Sequence, residues 1–219
     1  LRIADELYLK RLLVGGFERV YEICKDFRNE GIDRTHLPEF TMMECYWAYA
    51  DYQQMLTLTE SMISGICQEV NEGLTVELEG RTLDFSTPWR RLTVRQAIQD
   101  ATGIDIEAHW EDLDGLRQAL RELNLACAPQ PTWARTVDEL IGEYVEPSIW
   151  NPTFLLDYPV ALSPLAKRKT DDPRYVERFE PLIAGFELGN CFTELNDPID
   201  QRGRFEEAAR QKASGDDEA

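Results

Sequence analysis

The sequence predicts an α+β fold in which an antiparallel sheet is flanked by helices. Two stretches of alternating apolar and polar residues, 17–27 and 39–49, are separated by the polar loop RNEGIDRTHLP. Such spacing is typical of consecutive antiparallel strands, and a polar connection longer than a tight hairpin indicates a functional loop. Apolar β-like sequence returns from residue 147, after a block that is rich in short helical patterns.

Helices and a hairpin follow from local signals. Residues 4–14 are predicted to form a helix that ends at the pair Gly15 and Gly16. Apolar residues recur at helical spacing over 52–70, and this helix is preceded by a capping box, Asp51 with Gln54. The segment 74–85 is predicted to form a small hairpin that turns near Glu79–Gly80.

The block 86–146 is predicted to be a helical insertion into the β core. Two capping boxes, a helix stop and two breakers punctuate it: Thr93 with Gln96, Thr136 with Glu139, Gly103, Pro129 and Pro131. We therefore expect a first part of the core at 1–85, the insertion at 86–146, and a second part of the core at 147–219.

Composition limits the function classes. The 219 residues carry a net charge of −18, which argues against a general nucleic-acid-binding surface but not against a small cationic ligand. No apolar run is long enough to span a membrane. The five cysteines are scattered without a C-x-x-C pair, which indicates reduced thiols in a cytoplasmic protein. The chain does not begin with Met, so we expect it to start inside a longer protein.

Residue alternation along the predicted strands points to a lined pocket. Side chains two apart on a strand share a face. Three sets then mix charged groups with aromatic or polar ones: Arg28 with Glu30; Phe40 with Glu44 and Tyr46; Asn190 with Phe192 and Glu194. A solvated polar face explains any one strand, but three such strands favour a pocket.

Glu180 and Glu187 suit a metal ion. Paired carboxylates provide the oxygen ligands that Mg²⁺ prefers, although pairs of surface glutamates are also common without a metal. Glu187 lies on the opposite parity from Glu194, and Gly189 between them could host a bulge that re-aims the side chains.

Four blocks resemble class II lysyl-tRNA synthetases. Motif 2 of that family is similar to the first two blocks, LRIADELYLKRLLVGGFERVYEICKDFRNEG and then HLPEFTMMECYWAYADY. NPTFLLDYPVALSPLAK and GFELGNCFTELNDPIDQRGRF resemble its later blocks, in the same order. The resemblance implies the class II synthetase fold, an antiparallel sheet flanked by helices, with 86–146 in the position of a small insertion domain.

The resemblance also implies roles for the residues already singled out. Arg28 would contact the ATP α-phosphate and the lysine carboxylate, and it is the residue implied to be catalytic. The remaining ATP contacts would be Glu30, His36, Phe40, Glu180 and Glu187, with the last two also holding Mg²⁺. The lysine pocket would be lined by Arg28 together with Glu6, Glu44, Tyr46, Asn190, Phe192 and Glu194.

The implied function is ATP-dependent activation of lysine and its transfer to tRNA(Lys), by a full-length enzyme that is a homodimer. Motif 1, motif 3 and the N-terminal anticodon-binding barrel of the family do not occur in these residues, so we expect this piece to be inactive by itself. Two alternatives stay open: a synthetase paralogue that lysylates a protein, and a truncated binding module without catalysis.

Overall fold

The computed structural model describes residues 1–29, 31–33 and 36–213. It is an α+β structure, as the sequence predicts, and its contacts divide the chain into two compact units, Leu1–Ala50 and Asp51–Ala219. This division differs from the predicted one at 1–85, 86–146 and 147–219, which stays a prediction.

The first unit is a helix on a two-stranded sheet. Helix α1 spans Glu6–Val14, and strands β1 (Arg19–Phe27) and β2 (Glu39–Trp47) pair antiparallel along their whole length. The predicted stop of α1 is confirmed, because the backbone N–H of Gly15 donates to the last turn and Gly16 has φ +99°.

One face of this sheet carries nearly all of its polar side chains of interest. Directly opposed residues of antiparallel strands share a face, and the register places Glu22 opposite Glu44 and Asp26 opposite Phe40. Helix α1 contacts both strands. The other face exposes apolar side chains, among them Tyr21 and Ile23.

The second unit begins with a helix and a hairpin, both as predicted. Helix α2 spans Tyr52–Asn71, and the capping box is complete: the Asp51 carboxylate accepts from the backbone N–H of Gln54, whose side chain accepts from that of Asp51. Strands β3 (Thr75–Leu78) and β4 (Arg81–Asp84) form the hairpin. Both residues of its turn, 79 and 80, have positive φ, which suits the right-handed twist of a two-residue hairpin.

A mixed sheet forms the centre of the second unit. It contains β5 (Arg90–Thr93), β6 (Thr153–Leu156), β7 (Arg178–Ile183), β8 (Phe186–Glu187) and β9 (Cys191–Phe192). Strand β7 pairs antiparallel with β6, β8 and β9, whereas β5 and β6 are parallel. The predicted antiparallel pairing thus holds except between β5 and β6, which are parallel because a long crossover returns the chain in the same direction.

Helices make up most of that crossover. They are α3 (Val94–Thr102), α4 (Leu113–Glu122) and α5 (Trp133–Leu140), followed by a π-helical turn at Ile141–Val145, with short 3₁₀ turns at Ile106–His109 and Glu146–Ser148. A further 3₁₀ turn covers Val160–Leu162, and helix α6 covers Pro198–Ala213. Among the described residues, no helix combines the length and apolar character needed to cross a membrane.

The crossover and the sheet share one hydrophobic core. Fully buried side chains come from both, including Ile98 and Leu140 from the helices and Leu155 and Leu182 from the strands. The block 86–146 is thus not purely helical, since β5 lies within it. Its interpretation as an insertion stays a prediction.

The helix signals within the block are partly right. Thr93 caps α3 by accepting from the backbone N–H of Gln96, and Gly103 ends that helix. The predicted box at Thr136 is wrong: Thr132 caps α5, and Thr136 lies one turn inside, where its buried hydroxyl donates to the carbonyl of Thr132. Thr132 is favoured as the N-cap because it directly follows Pro131, which interrupts regular helix.

Replacing Gly103 and Gly65 by alanine should have opposite effects on stability. Neither added Cβ would meet an atom within 4 Å, but Gly103 has φ +82° whereas Gly65 lies inside α2. We expect Gly103→Ala to lower the free energy of unfolding by about 1 kcal/mol or more, and Gly65→Ala to raise it by about 0.5–1 kcal/mol. Denaturant titration measures both, and equal changes would contradict the left-handed conformation at Gly103.

Candidate functional site

Helix α1 and strand β2 bring predicted site residues together in the first unit. The carboxylate of Glu44 accepts from the hydroxyl of Tyr46 at 2.9 Å and from the backbone N–H of Asp5 at 3.3 Å. Glu6, in the first turn of α1, forms an ion pair with Lys10, whose ammonium lies 5.7 Å from the centre of the Tyr46 ring. Glu6, Glu44 and Tyr46 therefore belong to one cluster, as the alternation on β2 predicts for the last two.

Charge is unevenly compensated on this face. Glu22 and Glu44 are directly opposed, and like charges in that position repel. Arg2 forms an ion pair with Glu22 at 2.7 Å. In the part of the chain that the structure describes, no Lys, Arg or His forms an ion pair with Glu44. The Glu44 carboxylate could therefore accept a positively charged group of a ligand.

Arg28 follows directly after β1 and is exposed. Its guanidinium lies 5.2 Å from the centre of the Phe40 ring, and its Nε donates to the carbonyl of Ile3 at 3.2 Å. Within the described residues its two terminal nitrogens make no hydrogen bond, so they are available to an anion. Such a planar fork can bind a phosphate or carboxylate through two parallel hydrogen bonds.

The loop after Arg28 is described only in part. His36 is exposed, and its Nδ1 lies 2.9 Å from the carboxylate of Asp33, which also accepts from the His36 backbone N–H at 2.8 Å. Glu30, predicted to help hold adenine, lies outside the described residues.

A buried acidic cluster beneath this face was missed at the sequence level. Asp5 and Asp26 are fully buried, and Arg2 lies 2.9 Å from the first and 3.9 Å from the second. The thiol of Cys24 donates to Asp5 at 2.7 Å. Desolvation and this hydrogen bond raise the pKa of Cys24 to about 12, so the thiol stays protonated. The alternation of Glu22, Cys24 and Asp26 along β1 was the available signal.

In the second unit, Glu180 is the centre of the candidate site. It lies on β7 and is 5% exposed. Tyr158 donates its hydroxyl to one carboxylate oxygen, and Arg178 forms an ion pair with the other. Arg178 also donates from Nε to the side-chain oxygen of Asn190 at 3.0 Å. Neither Tyr158 nor Arg178 was among the predicted residues, although Arg178 has the same parity as Glu180 on β7.

Glu187 shares the face of Glu180. It pairs with Leu182, which lies two residues beyond Glu180 on β7. Although Glu187 is exposed to solvent as a whole residue, desolvation of its carboxyl and then the charge of Glu180 raise its pKa to about 7. Partial burial, followed by the charge of Glu180, also raises the pKa of Glu146. These carboxyls therefore repel one another when ionised.

The two glutamates could hold a divalent cation, since they share one face of the sheet. Mg²⁺ prefers oxygen ligands and favours the ionised form of the carboxylates that bind it. Each carboxylate oxygen has a second lone pair, so the hydrogen bonds from Tyr158 and Arg178 leave Glu180 able to accept a further partner.

The segment 188–194 departs from the predicted regular strand. Within it only Cys191 and Phe192 form a strand paired with β7, so 190–194 is not one continuous strand. Asn190 nevertheless contacts Arg178, the residue opposite Phe192. Phe192 lies opposite Arg178 and packs against the core, and Glu194 forms an isolated bridge with Ala166. The break between β8 and β9 contains Gly189, and it places Glu187 and Phe192 on one face despite their opposite parity. The side chains are thus re-aimed by a break in the strand near Gly189, where a bulge was predicted.

Comparison with known proteins covers the whole chain. A family model described as tRNA synthetases class II (D, K and N) matches residues 1–219. Two proteins named Lysine--tRNA ligase, from Chloroflexus aurantiacus and Roseiflexus castenholzii, are each 58% identical over 219 residues, 100% of this chain. A third of that name, from Deinococcus radiodurans, is 51% identical over 221 aligned residues.

The chain is shorter than these relatives. It spans 44%, 45% and 42% of their respective lengths, and 100% of the chain is aligned in each case. The match of the family model from the first residue to the last, together with relatives that are 58% and 51% identical, establishes the family. The chain belongs to the class II tRNA synthetases of the D, K and N group.

Proposed function

We propose that this chain is part of a lysine–tRNA ligase, which activates lysine with ATP to lysyl-adenylate and transfers it to tRNA(Lys). The observation that carries the proposal is the 58% identity, over all 219 residues, to proteins named for that activity. The resemblance extends the proposal to a homodimer and to a cytoplasmic location.

Recognition of lysine is assigned to acidic groups and their neighbours. In the first unit Glu44, held by Tyr46 and lacking an ion pair among the described residues, would accept an ammonium group, with Glu6 beside it. In the second unit the assigned residues are Asn190, Phe192 and Glu194. A carboxylate that gains a cationic partner no longer repels its neighbours, so these groups favour lysine over neutral amino acids.

Binding of ATP is assigned to Arg28, Phe40 and His36 in the first unit and to Glu180 and Glu187 in the second, with Glu30 assigned by the resemblance alone. Arg28 would hold the α-phosphate and the lysine carboxylate with its two unoccupied nitrogens, and Phe40 would stack on adenine. Mg²⁺, held by Glu180 and Glu187, would neutralise charge on the phosphates.

Activation then needs positioning more than proton transfer. The lysine carboxylate is already ionised and attacks the α-phosphorus, forming the mixed anhydride while pyrophosphate leaves. Arg28 would stabilise the charge that gathers on the α-phosphate, which is the largest contribution expected of a side chain here.

The direct test uses the protein as its gene encodes it. Lysine-dependent exchange of pyrophosphate into ATP should require Mg²⁺, and purified tRNA should become charged with lysine. Exchange with another amino acid and none with lysine would reject the proposal. Exchange without tRNA charging would favour the paralogue that lysylates a protein, and the absence of both would favour a binding module.

Arg28→Lys should lower the rate of lysine-dependent exchange by on the order of 10²-fold or more, because a lysine cannot bind two oxygens in a fixed fork. Arg19→Lys is the matched control, since Arg19 stacks 4.1 Å from the Trp47 ring on the opposite face of the same hairpin. Near-normal exchange in Arg28→Lys would remove its catalytic role.

Glu44→Gln and Glu194→Gln should each weaken lysine binding by about ten-fold or more, with little change in ATP binding, because each loses a charged acceptor. Glu22→Gln is the control for the first, since Glu22 lies opposite Glu44 and is neutralised by Arg2. Equilibrium binding of each ligand measures the effect, and an equal loss for lysine and ATP would indicate a scaffold role instead.

Glu187 should make the metal-free protein less stable as the pH rises. Its pKa in the folded state, about 7, exceeds the ordinary 4.5, so the folded state holds the proton more tightly. The stabilisation is complete below the ordinary pKa and is lost as the pH rises through the folded value. Denaturant titrations from about pH 4 to pH 8 should show this loss reduced in Glu187→Gln but not in Glu69→Gln, a change at an exposed α2 residue. Identical profiles would contradict the raised pKa.

A further inference from the structure

A single guanidinium group holds both parts of the candidate site in the second unit. Arg178 donates from Nε to Asn190 at 3.0 Å and forms an ion pair with Glu180 through one terminal nitrogen. Its other terminal nitrogen donates at 2.8 Å both to the carbonyl of Leu162 and to the hydroxyl of Ser163. All three nitrogens therefore have partners.

The surroundings fix this side chain in place. The guanidinium lies 4.3 Å from the centre of the Tyr158 ring, and the side chain is only 15% exposed. Tyr158 therefore stacks on Arg178 and also donates its hydroxyl to Glu180, the carboxylate that Arg178 binds. Only a planar fork with donors on three nitrogens can meet partners in these three directions at once.

We propose that Arg178 is a positioning residue that sets Asn190 and Glu180 relative to one another, so that one group orients the amino-acid side and the metal side of the site. The inference rests on the proposed function, which assigns lysine to Asn190 and Mg²⁺ to Glu180. Groups that orient metal ligands typically change metal affinity by about 10–100-fold when they are altered.

Charge neutralisation alone would predict a different outcome. If Arg178 only compensated the buried charge of Glu180, Arg178→Lys would keep that charge and preserve the site. A lysine ammonium is a point charge on a flexible stem, however, and it cannot hold Glu180 and Asn190 in a fixed relative geometry. The conservative variant thus separates positioning from neutralisation.

Arg174 provides a matched control. It is also a forked arginine, with Nε 3.0 Å from Asp172, a terminal nitrogen 3.2 Å from Glu107, and its guanidinium 5.3 Å from the Trp110 ring. None of these partners is assigned to the site. Loss of the fork at Arg174 therefore reports what such a change costs the fold alone.

The experiment compares Arg178→Lys and Arg174→Lys in the protein as its gene encodes it. Binding of Mn²⁺ as a probe for the Mg²⁺ site is measured by electron paramagnetic resonance, and the KM for lysine and kcat by pyrophosphate exchange. We expect Arg178→Lys to weaken Mn²⁺ binding and to raise the lysine KM by about ten-fold each. Arg174→Lys should leave the Mn²⁺ affinity and the lysine KM within about two-fold of wild type, even if its melting temperature falls as much as that of Arg178→Lys.

Wild-type Mn²⁺ affinity and lysine KM in Arg178→Lys, with only kcat or stability reduced, would overturn the inference. A change in Mn²⁺ affinity alone, or in the lysine KM alone, would also overturn it, because shared positioning requires both to change.

If the wild-type protein shows no lysine-dependent exchange, the proposed function fails, and the inference about Arg178 is then tested by Mn²⁺ binding alone. Asn190→Ala should then weaken Mn²⁺ binding in wild type but not in Arg178→Lys, and an equal effect in both would reject the link.

Discussion

Both units are constrained by the same shortage: they contain more carboxylates than cationic side chains to neutralise them. The chain carries a net charge of −18, and each unit uses one arginine fork where its acids are most buried. Arg2 serves the acidic cluster beneath β1, and Arg178 serves Glu180. Burial of an unpaired charge is costly, so the buried acids depend on the ion pairs that these two arginines form. Glu44 and Glu187 are left without an ion pair among the described residues, which is why the proposed function assigns cations to them.

The two remaining acids suit different cations. Glu44 already accepts hydrogen bonds from neutral donors, a backbone N–H and the Tyr46 hydroxyl, which orient its oxygens without cancelling its charge. A preoriented acceptor of that kind suits an ammonium group. Glu187 instead lies near Glu180 and Glu146, and desolvation of its carboxyl, followed by their negative charges, raises its pKa. Several carboxyls that cannot all ionise cheaply suit a divalent ion, which neutralises more than one of them.

Local sequence signals were sufficient for the first hairpin, the α2 cap and the shared face of Phe40, Glu44 and Tyr46, because each depends on residues close in the chain. Pairing between distant segments leaves no such signal. The parallel contact of β5 with β6 joins strands on either side of the crossover, and the hydrogen bond from Tyr158 to Glu180 reaches a strand from a loop. Alternation could not relate Glu187 to Phe192, because the strand breaks between β8 and β9 and residue parity cannot be counted across a break.

Ligand binding and folding are linked through the same charges. In the metal-free second unit, ionisation of Glu187 opposes the folded state, since its proton is held more tightly there than in an unfolded chain. A cation that binds only the folded site favours the ionised carboxylate and stabilises the fold by mass action. Glu180 differs from Glu187 in its partners, because Arg178 and Tyr158 already bind both of its carboxylate oxygens. In the proposed metal site one carboxylate would therefore be fixed in advance by the protein, and it would determine where a cation shared with Glu187 binds.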